Sequence, residues 1–199
     1  DFSKVMFSLR YDNQNDIRSD TKLFFKDMTF RALSDFPLIK KANGMYSNYD
    51  HRLVASFQNG VVTAKSGENV DLSGSRFVIP DTKILPSPAQ LSIMVKGRLR
   101  TVLELLNNAP FYILDRADQN VDIADGEAKI EVDVTFPIKP GLAAHDVSTA
   151  ATGEIVHFVT SGLFKKYSIF GKKVRLELTP ASLILRGITE YKDIDLDTE

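Results

Sequence analysis

The chain contains no cysteine and no tryptophan, and only three histidines among its 199 residues. Without cysteine, disulfide bridges, thiolate zinc sites and cysteine nucleophiles are all excluded. His51, His145 and His157 are isolated, since no two of them have the four-residue spacing that places zinc ligands on one helix face. A Ser-His-Asp arrangement stays open because its members need not be adjacent in sequence. We predict no metal site.

Long apolar runs and a strong net charge are missing as well. No stretch approaches the roughly 20 apolar residues of a membrane-spanning helix, and no secretory signal opens the chain. The formal net charge is −1, so the composition predicts no nucleic-acid partner. The chain opens at Asp1, without Met and within a strand-like pattern. We therefore expect an excised segment of a much larger protein.

Sequence motifs of common phosphate-binding and catalytic sites are absent. Neither the glycine-rich phosphate loops nor the G-x-S-x-G nucleophile motif occurs. The best metal candidates are five carboxylates between two apolar segments, but their spacing departs from the calcium-loop pattern: Asp115, Asp118, Asp122, Asp125 and Glu127. No focused carboxylate pair indicates a glycan hydrolase. We predict no catalytic residues, no cofactor and no enzyme activity.

The sequence has instead a regular alternation from Ala128 to Phe136, where every even position is apolar and every odd position is charged or hydroxylated. Successive side chains of a strand point to opposite faces, so this segment predicts a strand with one apolar and one wet face. Similar alternation occurs at 53–57, 91–95 and 174–178. Together these segments predict a mainly β, antiparallel sheet with one continuous apolar face, as a single unit over residues 1–199.

One helix and two tight turns complete the prediction. Apolar residues from Leu99 to Leu106 share a stripe at helical spacing, and Pro110 ends the pattern, so we predict one short helix near 99–108. Asn59-Gly60 lies between two apolar runs and predicts a hairpin turn. A second turn is predicted at Gly171-Lys172.

Five segments occur in an order that covers nearly the whole chain: 36–44 (FPLIKKANG), 70–81 (VDLSGSRFVIPD), 86–99 (from PSPA to GRL), 105–110 (LLNNAP) and 162–187. Together they resemble the central domain of the AsmA-like YhdP family. The resemblance implies large envelope proteins of Gram-negative bacteria, related to TamB, with curved β-sheets that form an apolar groove. Such proteins are implicated in moving phospholipid from the inner to the outer membrane.

For this chain the resemblance implies a curved antiparallel sheet that forms an apolar groove. It also implies a periplasmic location, with the parent protein anchored in the inner membrane. The expected partners are phospholipid acyl chains, adjacent segments of the same parent chain, and the membrane through parts outside this chain.

The apolar members of the clearest strands are the predicted groove lining, with the helix closing one end: Leu53, Ala55, Phe57, Leu91, Ile93, Val95, Ile130, Val132, Val134, Phe136, Val174, Leu176 and Leu178. The pattern alone leaves an alternative, because most one-faced sheets pack against a second sheet. That alternative is a closed β-sandwich that acts as a structural or protein-binding module without a lipid path.

Overall fold

The computed structural model describes residues 2–11, 17–31, 36–108, 113–116, 118–141, 143–161 and 167–193. Strands dominate these residues, as the alternation predicts. The elements are β1 (Phe2–Tyr11), β2 (Ile17–Phe30), β3 (Ile39–Tyr49), β4 (Arg52–Thr63), β5 (Asn69–Asp71), β6 (Arg76–Ile79), β7 (Ser87–Arg98), α1 (Leu99–Leu106), α2 (Ile113–Arg116), β8 (Ala124–Ile138), β9 (Ser148–Thr160), β10 (Tyr167–Thr179) and β11 (Ser182–Asp193).

All eleven strands belong to one antiparallel sheet, which confirms the predicted fold class. Each long strand pairs with its neighbours in sequence, and the short β5 and β6 share one place between β4 and β7. β1 and β11 are the two edges. This meander is the arrangement that short connections between antiparallel strands favour.

β8 shows why the apolar side chains meet on one side of the sheet. Its even residues from Ala128 to Phe136 are buried or half-buried, while the odd residues between them are exposed. The register pairs Ile130 with Val95, Val132 with Ile93 and Val134 with Leu91. Directly opposed residues of neighbouring strands point to the same side, so one apolar face extends across the strands. We call this side of the sheet the apolar face.

Helix α1 follows β7 without a connecting loop and is the helix that the sequence predicts. It begins without a side-chain cap at Arg98 and buries Leu99, Val102 and Leu105. At its end, the Asn108 amide donates to the carbonyl oxygen of Glu104 at 3.0 Å and so satisfies one of the free carbonyl groups of the last turn.

The predicted hairpin at Asn59-Gly60 is wrong. β4 runs through both residues, and the turn lies earlier, at Asp50 and His51, where φ is 46° and 63°. Asn59 lies at a register shift between β3 and β4. An extra residue in one strand reverses the side-chain alternation, so Phe57 and Val62 both reach the apolar face despite their odd spacing. The Asn-Gly pair therefore accommodates a bulge rather than a chain reversal.

The predicted turn at Gly171-Lys172 is wrong for the same reason. β10 continues from Tyr167 to Thr179, and its register with β11 shifts between Gly171 and Val174. The actual turn follows Thr179, whose hydroxyl oxygen accepts the Ser182 N–H at 3.1 Å.

Bulges recur across the sheet and give it curvature. Register shifts interrupt five strand pairs: β1/β2, β2/β3, β3/β4, β8/β9 and β10/β11. Bulges bend a strand and increase its twist. Side chains such as Val62, Ile155 and Val174 are at most 1% exposed although the described strands form a single sheet. A flat single sheet leaves its face open to water, so curvature and α1 together cover these side chains.

Candidate functional site

The register brings the thirteen predicted lining residues onto the apolar face. Leu91 lies opposite Val134 in β8 and opposite Phe77 in β6, and Phe77 in turn lies opposite Ala55 in β4. On the other side, Leu176 and Leu178 of β10 lie opposite Gly153 and Ala151, which pair with Ile130 and Val132. The set forms one surface from β4 to β10.

Near α1 this surface is closed to solvent. The strand ends next to the helix carry almost fully buried side chains, which we call the sealed half: Ile39, Ala42, Val62, Val70, Ala128, Ile130, Ile155, Phe158 and Val174. Two predicted lining residues fall here, with Ile130 at 7% and Val174 at 1% exposure. Both are part of the core and are inaccessible to a bound molecule.

At the opposite strand ends the same surface is partly exposed. The other eleven predicted lining residues are half-buried. Val95 lies directly opposite Ile130 and Leu176 lies level with it across Gly153, and both pack against the buried clusters. We call the remaining nine, together with Phe77, the open half: Leu53, Ala55, Phe57, Leu91, Ile93, Val132, Val134, Phe136 and Leu178. Ile79, Ala89 and Ala151 are buried among them. Apolar side chains that stay partly exposed together on one face make this half a candidate binding surface.

The buried apolar residues form two clusters, and α1 contributes to both. Leu99 packs with β8, β9 and β10 in the first cluster, against which Leu103 also packs. Val102 and Leu105 pack with β3, β4 and β5 in the second, against which Leu106 packs. The helix thus lies where the two clusters meet and occupies the sealed end of the face.

Ion pairs fasten the junction of β7 and α1 to the segment that leads into β8 and to its first residues. The Arg98 guanidinium donates to both carboxylate oxygens of Asp125, at 3.0 and 3.1 Å from Nε, and Arg100 lies 2.6 Å from the Asp122 carboxylate. The hydrogen bond from Arg98 holds the pKa of Asp125 below its usual value. The same contact raises the pKa of Arg98. These charges lie on the solvent side of the helix and fix its orientation.

Two further contacts fasten α1 to the turn before β5. The Glu104 carboxylate accepts the Ser66 N–H at 2.9 Å, and the Thr101 hydroxyl donates to the Glu68 carboxylate. Arg98 also lies 3.4 Å from Glu68. Polar groups on both sides of the helix therefore hold it in place while its apolar stripe covers the sheet.

The sequence prediction missed several members of the apolar face. Phe25 and Phe30 lie on either side of Phe57, each with a ring-centroid separation of 5.6 Å. Their strand contains register shifts, and Asp27 has a φ of 52°, so no alternation marks it in the sequence. Phe77 was missed because β6 has only four residues. The signal that could have identified Phe25 and Phe30 is the high aromatic content of residues 24–30.

The candidate carboxylates do not converge. Asp125 and Asp122 pair with the arginines of α1, and Asp115 accepts the Asn107 amide at 2.9 Å. Within the described ranges, no group of three His, Asp or Glu side chains is arranged to hold a metal ion. Each of these three carboxylates is accounted for by a neighbouring donor.

Compared with protein-family models, curated proteins and solved structures, the chain matches none. Among the residues that the structure describes, no helix is long and apolar enough to cross a membrane.

The chemical capacity of the site follows from its composition. The open half presents Val, Ile, Leu and Phe side chains, while charged groups such as Glu131 and Asp133 lie on the opposite face of β8. An apolar surface of this kind offers burial of hydrocarbon without directional polar contacts.

Proposed function

We propose that this chain is a segment of an inner-membrane-anchored periplasmic protein that conducts phospholipid toward the outer membrane, with acyl chains held against the apolar face. The single observation that carries the proposal is the partial exposure of the open half. Nine predicted lining residues and Phe77 keep apolar surface in contact with solvent on one face of a continuous sheet. A guest molecule that covers this face removes that surface from water.

The energetics favour a hydrocarbon guest. Exposing an acyl chain to water costs about 0.8 kcal/mol per methylene, or about 12 kcal/mol for a chain of about sixteen carbons. An apolar trough recovers most of this free energy without specific polar contacts. Weak head-group recognition also suits a carrier, because a lipid that is held only by its tails can move on.

The resemblance to the AsmA-like YhdP family supplies the cellular setting of the proposal. It implies a parent protein in the Gram-negative envelope, with an anchor in the inner membrane and neighbouring segments that continue the groove. The exposed edge strand β1, with Val5 61% and Phe7 62% exposed, suits pairing with an adjacent segment of the same chain.

The alternative is a closed β-sandwich without a lipid path. A filled sandwich has one contiguous core between two layers. The buried residues described here form two clusters that meet at α1. This division favours the groove, and the two functions differ in a measurable property, the presence of bound lipid.

The experiment measures phospholipid that co-purifies with the chain after export to the periplasm of a Gram-negative host. Val132→Asp and Val134→Asp place a carboxylate on the open half, where burial against an acyl chain is costly. We expect each variant to retain at least about tenfold less phospholipid, by mass spectrometry of extracted lipid, than the unmodified chain.

Glu131→Ala is the matched control, because residue 131 lies between the two valines and is exposed on the opposite face. We expect its lipid content to equal that of the unmodified chain. Circular dichroism checks that all variants keep their strand content. Equal lipid content in all four proteins, or none in any of them, would refute the proposal and favour the closed module.

A further inference from the structure

The open half has a limited depth because α1 closes it at one end. Along β8, the half-buried Phe136, Val134 and Val132 are followed by Ile130 at 7% and Ala128 at 5% exposure. The accessible apolar surface therefore ends at the level of Ile130, where the strand meets the cluster that contains Leu99. The exposure of these side chains therefore decreases along β8 in the direction of α1.

The opposite end of β8 is open to solvent. The strand ends at Ile138, which is 45% exposed on the apolar face, and the next residue, Lys139, lies 2.7 Å from the carboxylate of Asp146. Ile84 and Leu85, in the connection between β6 and β7 at the same end, are 51% and 85% exposed. An amphipathic guest thus finds solvent with apolar and charged groups at one end and a closed apolar wall at the other.

The depth matches one acyl chain. The accessible apolar residues of β8 run from Ile138 to Val132, a spacing of six residues, which spans about 20 Å at about 3.4 Å per residue. A carbon bond of about 1.5 Å with an angle near 111° advances an extended chain by about 1.25 Å per methylene, so about sixteen carbons fill this distance.

Helix α1 is held firmly enough at the closed end to block a lipid tail. Leu99, Val102 and Leu105 are 5–6% exposed, and contacts on both sides of the helix join it to the turn before β5 and to the start of β8. Leu103 and Leu106 pack against the two clusters and keep part of their surface exposed. Leu103 packs against the cluster that contains Ile130, so it is the partly exposed apolar side chain of α1 nearest the end of the open half on β8.

From these observations we infer that α1 is a terminal stop that sets the acyl-chain length taken up by the open half, with the methyl end against the helix and the head group at the end that is open to solvent. The inference rests on the proposed function. It adds a preferred ligand, a lipid with a chain of about sixteen carbons, and assigns Leu103 a role in specificity.

The test uses single-chain phosphatidylcholines of about 12 to about 20 carbons, each below its aggregation concentration. Affinity for the full chain is measured by displacement of a fluorescent fatty acid. While each added methylene is buried, affinity rises about fourfold. We expect this rise to stop at about sixteen carbons, because further methylenes find no apolar surface.

Two variants move the stop in opposite directions. Leu103→Ala removes side-chain volume from the wall and is expected to shift the break to chains about two to three carbons longer. Ile93→Phe fills the trough opposite Val132 and is expected to shift the break to chains about four to six carbons shorter. Glu131→Ala, on the opposite face, keeps the break of the unmodified chain.

The outcomes separate the stop from the proposed function. Affinity that rises without a break to about 20 carbons, or a break at the same length in every variant, overturns the stop and leaves lipid binding intact. Absence of binding at every length overturns the proposed function and the stop together. Circular dichroism and thermal unfolding confirm that both variants are folded, and either shift alone supports the inference.

Discussion

At the scale of single residues, glycines allow neighbouring strands to carry aromatic rings over the backbone. Gly44 lies in β3 opposite Phe25 of β2 and Phe57 of β4. A Cβ atom at this position would lie 2.1 Å from the carbonyl oxygen of Ser56 and 2.6 Å from the Phe25 ring. The packing of Phe25 and Phe57 on the apolar face therefore requires a glycine at position 44.

Gly44→Ala is expected to lower the free energy of unfolding by about 2–3 kcal/mol, because backbone and ring must move apart to admit the methyl group. Chemical denaturation monitored by circular dichroism measures the change. Gly60→Ala in β4 is the control, since its added Cβ meets Ile39 at an ordinary 3.5 Å. Equal unfolding free energies for the two variants would argue against the close approach at Gly44.

At the scale of secondary-structure elements, α1 is held both by buried apolar contacts and by exposed ion pairs. Its apolar stripe packs against both clusters, while Arg98, directly before the helix, and Arg100, within it, contact Asp125 and Asp122. Because these ion pairs are largely exposed, each contributes little to stability. Burial of the leucines supplies most of the binding energy of the helix, and the charges select its orientation.

The Arg98–Asp125 pair gives stability a pH dependence of known sign. Arg98 lowers the pKa of folded Asp125 below the unfolded value near 3.9. The pair therefore stabilises the fold fully above that value, and the contribution is lost as pH falls through the lowered folded pKa. Asp125→Asn should cost no more than about 1 kcal/mol at neutral pH, and its unfolding free energy should fall less than that of the unmodified chain between pH about 6 and about 3.

Urea denaturation across that range measures both slopes. Asp146 and Glu154, whose pKa values are also lowered, are present in both proteins, so the difference between them isolates Asp125. Parallel curves for the two proteins would show that the Arg98 contact does not act on folded Asp125.

At the scale of the whole molecule, both edges of the sheet are long. β1 has ten residues and β11 has twelve. Phe7 is 62% exposed in β1, and Ile188 is 92% exposed in β11. Long apolar edge strands pair readily with other strands, and proteins commonly protect them with charged side chains.

We expect the isolated chain to self-associate through these edges at micromolar to millimolar concentration. Phe7→Lys combined with Ile188→Lys should shift the population toward monomer, as measured by sedimentation velocity. Ile84→Lys is the control, because Ile84 is 51% exposed in the connection between β6 and β7, away from either edge. Equal association of the double variant and the control would place the contact elsewhere.

The sequence predicted the elements that have a regular apolar periodicity and missed the bulges that interrupt it. β8 and α1 are correct because periodicity identifies both. Asn59-Gly60 and Gly171-Lys172 were misread because a bulge and a tight turn favour the same residue types. The division into an open and a sealed half was not predictable, since burial depends on where the helix packs and alternation does not report that.

The order of strands has a consequence for how the chain acquires its structure. Each long strand pairs with the next one in sequence or, at β4 and β7, through two short intervening strands. Local pairing of this kind keeps loop-closure costs small and favours rapid folding. Each hairpin can therefore form as soon as its second strand has been made, without waiting for the distant end of the chain.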